Sequence, residues 1–210
     1  MQGPERSGPE TGGSVETGDI FKNVCTGKRG VDPEVLEQTI VLAVEVAREG
    51  REGRKIGTLF VVGDSEKVIG SSKPLILDPL AGHPDEIKHI ADPDVRETLK
   101  ELAQLDGAFV VSDAGVVISA ARYIDTTSDS LNVPFGLGSR HMAAASVSKR
   151  TGAVAVVVSE SSMVRLFDDG ELVSEITPEL WMWGRYSSHL SGRPTDTRAR
   201  DEVTVVSVEE

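Results

Sequence analysis

The sequence predicts an α/β fold in which a mixed β-sheet is flanked by helices. Short apolar runs that suit buried strands alternate with stretches of helical periodicity, which favours parallel pairing. Turn residues place two hairpins among the strands, and a hairpin requires antiparallel neighbours. Hydrophobic residues make up 39% of the 210-residue chain, as expected of a folded protein with a core.

The first half of the chain is expected to form an N-terminal helix–strand–helix extension over residues 19–104, after a flexible tail over residues 1–18. The tail is too poor in apolar residues to order itself. The pairs Asp32-Pro33 and Asp92-Pro93 each start a helix, because aspartate caps helices and proline fits their first position. Between the two helices, the apolar run Gly57–Val62 predicts a buried strand.

Residues 105–176 are expected to form the core of the functional domain. Two hairpins, an alanine-rich helix that Ser139 caps and a buried strand make up this part. In chain order, the expected elements are strands Phe109–Ser112 and Val116–Ala120, helix Arg140–Thr151, and strands Ala153–Ser159, Met163–Phe167 and Glu171–Ile176. The remaining segment, residues 177–210, is expected to be irregular apart from an edge strand over Val203–Val208.

Composition excludes several classes of function. With 34 acidic and 22 basic residues the net charge is −12, so the surface repels nucleic acid and no nucleic-acid partner is expected. Cys25 is the only cysteine, which excludes an intrachain disulfide and a cysteine-based metal site. No apolar run approaches the ~20 residues of a membrane helix and no signal core is present, so we expect a cytoplasmic protein without a membrane partner.

The segment Gly136-Leu-Gly-Ser-Arg-His-Met142 is the main candidate for a ligand site. Gly136 and Gly138 allow the backbone to approach a ligand closely, and Ser139 is expected to be the N-cap of the following helix. Arg140 and His141 would then lie in the first turn, where free N–H groups and the helix dipole favour phosphate. The alternative is an ordinary capped helix on which these two side chains face water.

Two further segments strengthen the functional interpretation. Leu105-Asp-Gly-Ala108 places a carboxylate at the mouth of an apolar strand, and Ser159-Glu160 follows another buried strand. Considered separately, these are ordinary turn and loop residues. In this order, with the glycine loop and helix between them, they resemble the catalytic domain of the diadenylate cyclases, the DisA N-terminal family, from about Leu105 to about Leu172.

The resemblance implies an activity and its partners. Two ATP molecules would condense into cyclic di-AMP and two pyrophosphates, with Mn²⁺ or Mg²⁺ as the cofactor. One chain would hold one nucleotide site, so a second copy is required, as a homodimer or a higher even oligomer. The chain is expected to be a soluble, stand-alone member of archaeal type.

The resemblance also implies roles for individual residues. It makes Asp106, Arg140 and His141 catalytic, with Asp106 and Glu160 as the metal ligands. Small side chains after Asp106 would leave room for a ribose, and Tyr123 with Ile124 would cradle adenine. The implied contacts to ATP come from Gly107, Ala108, Tyr123, Ile124, Gly138, Ser139, Ser159 and Glu160.

One position departs from the family pattern, which usually reads Arg-His-Arg where this chain has Met142 as the third residue. A lost charge-assisted contact to phosphate weakens binding by about 1.5–3 kcal/mol unless another cation replaces it. The candidates for that cation are Arg122, Lys149, Arg150 and Arg165.

Two alternative functions remain open at this point. Met142 favours a regulatory module that binds nucleotide without turnover. A serine hydrolase would pair Ser139 or Ser188 with His141 or His189, but the chain lacks the Gly-x-Ser-x-Gly elbow of such enzymes.

Overall fold

The structure, a computed structural model, describes residues 24–126, 133–134 and 136–178. The helices are α1 (Pro33–Glu49), α2 (Ser65–Gly70), α3 (Pro93–Leu102) and α4 (Ser139–Arg150). The strands are β1 (Thr58–Val62), β2 (Ser72–Pro74), β3 (Ala108–Val111), β4 (Val117–Ile124), β5 (Val154–Val158), β6 (Val164–Asp168) and β7 (Glu171–Ile176). The expected tail (residues 1–18) and edge strand (Val203–Val208) lie outside the described residues.

The seven strands form one mixed sheet in the order β2-β4-β3-β1-β5-β6-β7. β1 and β3 run parallel, and the other neighbours pair antiparallel, including both expected hairpins, β3–β4 and β6–β7. Helices flank this sheet, so the predicted fold class is confirmed.

Two hydrophobic cores cover the two faces of the sheet. Successive side chains of a strand point to opposite faces, and β1 illustrates the division. Phe60 and Val62 pack in the core that contains α1 and α3, whereas Leu59 and Val61 pack in the core that contains α4 and Val68 of α2. All of β1, β3 and β5 is buried, which explains why these strands are continuous apolar runs.

The sequence left open whether the chain before Asp106 joins the same sheet. β1 lies between β3 and β5 and pairs with both of them, so it is a central strand of that sheet. The expected boundary between residues 104 and 105 therefore separates the candidate motifs from the preceding chain, and does not separate two sheets.

The predicted helix starts have different outcomes. Asp32 and Asp92 each accept hydrogen bonds from two backbone N–H groups of the turn that follows, as expected of aspartate caps. The expected cap at Ser139 is wrong, because Gly138 is the N-cap and Ser139 is the first helical residue, with no side-chain cap.

Candidate functional site

The sheet topology brings the three sequence motifs to the same end of the strands. β1 is parallel to β3 and antiparallel to β5, so the start of β3 and the end of β5 lie at the same end of the sheet. Asp106 precedes β3 and Glu160 follows β5. α4 packs against β5, β6 and β1, and its N-terminal turn brings Arg140 to the same end of the sheet.

Arg140 joins the other two motifs directly. Its Nη2 donates to Oδ1 of Asp106 and its Nη1 donates to Oε1 of Glu160, each at 3.3 Å. The side chains of Asp106 and Glu160 are 89% and 72% exposed, whereas that of Arg140 is 33% exposed. Ion pairs this exposed add little stability, so a ligand could displace them at low cost. The arrangement therefore presents two accessible carboxylates and one cation to solvent.

Gly57 is a site residue that the sequence interpretation missed. A β-carbon at this position would lie 2.8 Å from Nη1 of Arg140 and 3.3 Å from Cγ of Glu160. Glycine therefore leaves the space in which the Arg140 guanidinium lies. The available signal was a glycine directly before a buried strand, which often marks a close approach by another group.

Gly107 is required by the backbone beside Asp106. Its φ is +108°, and a β-carbon would lie 2.6 Å from the carbonyl carbon of Ala121 and 2.7 Å from the amide nitrogen of Arg122. Ala121 itself has φ +52°, where the β3–β4 register shifts between Ala108 and Val110. The bulge thus packs against the turn that carries Asp106. Ala108 is buried in the core.

The first turn of α4 offers backbone donors to an anion. The amides of His141 and Met142 donate to the Gly138 carbonyl, at 3.0 and 3.3 Å, so the donors that this turn offers to an anion are the amides of Ser139 and Arg140. The first N–H groups of a helix have no partner within the helix, and the helix dipole is positive there. Together with the Arg140 side chain, this turn suits a phosphate group.

His141 lies in the core beneath this turn, with 6% of its surface exposed. Its Nε2 is 3.3 Å from Nη1 of Arg165, and its ring meets that of Phe167 edge-on at 6.1 Å. Burial first, and then the charge of Arg165, lower the pKa of His141, so the ring is neutral near pH 7. The structure places His141 behind the site, against β6, and not beside the two carboxylates.

The other expected nucleotide contacts differ in exposure. Tyr123 is exposed, whereas the Ile124 side chain is buried in the core on the α4 side of the sheet. Ser159 organises the β5–β6 turn, where its Oγ accepts from the Met163 amide at 3.2 Å and contacts Ser161 Oγ at 2.7 Å.

Each cation considered as a substitute for the missing family arginine binds elsewhere. Arg122 donates to the carbonyls of Ile69 and Ser72, and Arg150 donates to the carbonyl of Asp125. The two remaining candidates are engaged with carboxylates, in the pairs Lys149–Asp169 and Arg165–Glu175.

Metal-ligand clusters of three or more His, Cys, Asp or Glu side chains are absent from the described residues. His89 is engaged in the fold, with Nε2 2.8 Å from the Ala114 carbonyl oxygen and Nδ1 accepting from the Ala91 amide at 3.2 Å. His83 is exposed. None of the helices in the described ranges is long and apolar enough to cross a membrane.

Comparison with known proteins identifies relatives of this chain. It is 51% identical over 144 residues to the diadenylate cyclase of Methanocaldococcus jannaschii, an alignment that covers 68% of this chain and 45% of the relative. It is 41% identical over 166 residues to the diadenylate cyclase of Haloferax volcanii, covering 78% and 58%. A double mutant of DacA from Staphylococcus aureus aligns with a TM-score of 0.49 and 22% identity, over 76% of this chain and 97% of that one.

The chain spans about half the length of the curated relatives it matches. Residues 45–172 match the family described as "DAC: DisA bacterial checkpoint controller nucleotide-binding". That range is more than half of the chain, and it contains Gly57, Asp106, Arg140 and Glu160. The chain therefore belongs to the DAC nucleotide-binding family.

Proposed function

We propose that this chain is a diadenylate cyclase, which condenses two ATP molecules into cyclic di-AMP and two pyrophosphates. The observation that carries the proposal is the Arg140 guanidinium, which binds Asp106 and Glu160 at the N-terminus of α4. A nucleotide-binding family and two relatives named diadenylate cyclase support it. Because the substrate is ATP, the cytoplasm remains the expected compartment.

The chemistry requires a triphosphate to be bound and a hydroxyl to be brought to it. In each half-reaction the 3′-oxygen of one nucleotide bonds to the α-phosphorus of the other, the bond to pyrophosphate breaks, and the hydroxyl proton leaves. Arg140 and the first amides of α4 would bind phosphate oxygens and stabilise the developing charge. Asp106 would accept a hydrogen bond from the attacking hydroxyl.

Arg140 is shared between two carboxylates that are both open to solvent. A triphosphate competes for the guanidinium, because planar bidentate pairing suits phosphate as well as carboxylate. Its binding would release Asp106 and Glu160 for other partners. The ion pairs would thus not block the site.

The released carboxylates fit a divalent ion. Mn²⁺ and Mg²⁺ prefer hard oxygen ligands and usually keep only one or two protein carboxylates, completing their shell with phosphate and water. Asp106 and Glu160 would supply those two ligands. The ion would neutralise phosphate charge, and we propose Mn²⁺ or Mg²⁺ on this chemistry.

Two protomers are needed, because each chain offers one such site and the reaction uses two nucleotides. An exposed apolar surface next to the site supports a face-to-face pair. Leu75, Ile76 and Leu77 are exposed, and the Leu75 amide donates to the carbonyl of Ala121, which packs on Gly107. Apolar side chains held in solvent beside a polar site suit a protein partner.

The direct test is mass spectrometry of the products after purified protein is incubated with ATP and either Mn²⁺ or Mg²⁺. We expect cyclic di-AMP, with two pyrophosphates released for each molecule of it. Asp106→Asn, which keeps the size of the side chain and removes its charge, should form none. ATP that binds without forming product in either metal would contradict the proposal.

The alternative function is nucleotide binding without turnover. It is favoured by one observation: the four cations that could replace the family arginine at Met142 are all engaged with other groups. Calorimetry with ATP and with cyclic di-AMP distinguishes the two functions. A binding module retains tight nucleotide binding and yields no product.

A further inference from the structure

We propose that Arg165, held by Glu175, is a positioning residue that fixes the first turn of α4, and with it Arg140, by acting through His141. The activity part of this inference rests on the proposed cyclase function. The structural part, the hydrogen-bonding state of His141, can be tested without turnover.

The three side chains form a continuous chain from the sheet to the helix. Arg165 lies on β6 directly opposite Glu175 of β7, and its Nε donates to Oε1 of Glu175 at 2.5 Å. Its Nη1 is 3.3 Å from Nε2 of His141. The Arg165 side chain is mostly buried, so its contacts are shielded from solvent.

The partner of His141 determines where its proton lies. A guanidinium only donates hydrogen bonds, so Nε2 of the neutral imidazole must accept from Arg165 and the proton must be on Nδ1. Nδ1 is buried and has no hydrogen-bond partner among the described residues. The Gly138 carbonyl opposes the lowering of the His141 pKa. The contact with Arg165 therefore predicts a neutral imidazole whose Nδ1 proton is buried.

Arg140 needs such a support, because its own contacts are weak. It is held by two ion pairs at 3.3 Å to exposed carboxylates, and pairs of this kind contribute little. His141 is the next residue in the same helical turn and is anchored in the core. A rotation of this turn would have to break the contact between His141 and Arg165, so β6 fixes the direction in which Arg140 points.

The charges around His141 favour the accepting state. Burial and the cations Arg165 and Arg140 lower its pKa, and Glu175 raises it. Removing Arg165 leaves both ring nitrogens without a full partner and removes a cation that keeps the ring neutral. The ring would then be free to turn and would protonate at a higher pH.

Three substitutions test this series of contacts between side chains, and a fourth serves as a matched control. Arg165→Met removes the donor, Arg165→Lys keeps a cation, and Glu175→Gln removes the charge that holds Arg165. Lys149→Met is the control, because Lys149 also joins α4 to the β6–β7 hairpin, through Asp169, but at the other end of the helix. We expect kcat/KM for ATP to fall at least about tenfold in Arg165→Met, less in Arg165→Lys and Glu175→Gln, and to stay within about twofold in Lys149→Met.

Two readouts separate positioning from a general loss of structure. The acid limb of the pH–rate profile should move to higher pH in Arg165→Met, because His141 then protonates more readily. Nitrogen-15 spectra of the imidazole, assigned with His141→Gln, should show the Nδ1–H tautomer in the unsubstituted protein and its loss in Arg165→Met.

An Nε2–H tautomer in the unsubstituted protein would overturn the inference. So would an acid limb that stays in place, or an equal loss of activity in Lys149→Met. If the protein makes no cyclic di-AMP, the proposed function fails, but the tautomer of His141 and its loss in Arg165→Met still decide this inference.

Discussion

Gly57 and Arg140 are complementary in shape: a β-carbon at position 57 would lie 2.8 Å from Nη1 of Arg140 and 3.2 Å from its Cζ. The contact is with the far end of a flexible side chain, and Gly57 is not in the left-handed region where another residue would be strained. A small side chain at 57 would therefore displace the guanidinium while the fold remains intact.

Gly57→Ala is expected to lower kcat/KM for ATP about tenfold or more, since small displacements of a positioning cation are costly to catalysis. The melting temperature should stay within about 2 °C of the original, because surface changes of this kind have small effects. Steady-state kinetics and thermal unfolding check the two halves of this prediction. Gly70→Ala is the control, because no atom lies within 4 Å of a β-carbon there. A folded Gly57→Ala protein with full activity would show that Arg140 need not occupy this space.

Gly107→Ala, unlike Gly57→Ala, should lower the stability of the fold. The new β-carbon would lie within 2.7 Å of backbone atoms of Ala121 and Arg122, which cannot move without disturbing the β3–β4 bulge, and the φ of +108° disfavours any side chain. Strain of this kind costs about 1–3 kcal/mol, so the free energy of unfolding should fall by that amount in urea titrations. Asp106→Asn, one residue earlier and exposed, should leave it unchanged. Equal stability of the two variants would contradict this account of the turn.

The order of elements could be predicted because most of them carry local signals. Asp32 and Asp92 predict the helices that follow them, and the turn residues of the hairpins predict the strands on either side. α2 and β2 had no such signal: α2 has six residues, too few for a periodic pattern, and β2 has three and ends in proline. Local sequence did not reveal them because tertiary contacts supply what propensity does not.

The sequence names the candidate site residues but does not show how they are arranged. Nothing local shows that β1 separates β3 from β5, although this placement is what brings Asp106 and Glu160 to the same end of the sheet. The orientation of His141 was equally hidden, because a histidine in the first turn of a helix can face either solvent or the core. Its partner, Arg165, follows 24 residues later on another strand.

Stability should depend on pH through His141. Its pKa in the folded protein lies below the ordinary value of 6.5, so the unfolded chain binds more protons at pH values between the two. The stability that depends on a neutral His141 is thus fully present above about pH 6.5, and it is lost as the pH falls toward the lowered pKa. Melting temperatures measured across this range should fall more steeply for the original protein than for His141→Gln. Parallel curves would mean that His141 does not titrate differently in the two states.

Leu77→Asp tests the exposed apolar surface beside the site. Leu77 is 95% exposed, so a charge there should not disturb the fold, but it would have to be desolvated in a face-to-face pair. We expect weaker self-association by sedimentation and a loss of cyclic di-AMP formation, with ATP binding retained. The control is Ile87→Asp, an exposed apolar position near the opposite end of β4. Unchanged pairing and activity in Leu77→Asp would exclude this surface from the interface.

Mixing two inactive variants tests whether each nucleotide site belongs to one protomer. Arg140 binds Asp106 and Glu160 of its own chain. A mixed pair of Asp106→Asn and Arg140→Met protomers therefore has one defect in each of its two sites, and it should form almost no cyclic di-AMP after subunit exchange. A mixture of the original protein with Asp106→Asn serves as the control for exchange. If the working site instead combined Arg140 of one protomer with Asp106 of its partner, the mixed pair would contain one intact site. Formation of the linear dinucleotide, joined by one phosphodiester bond, would then contradict the single-chain site.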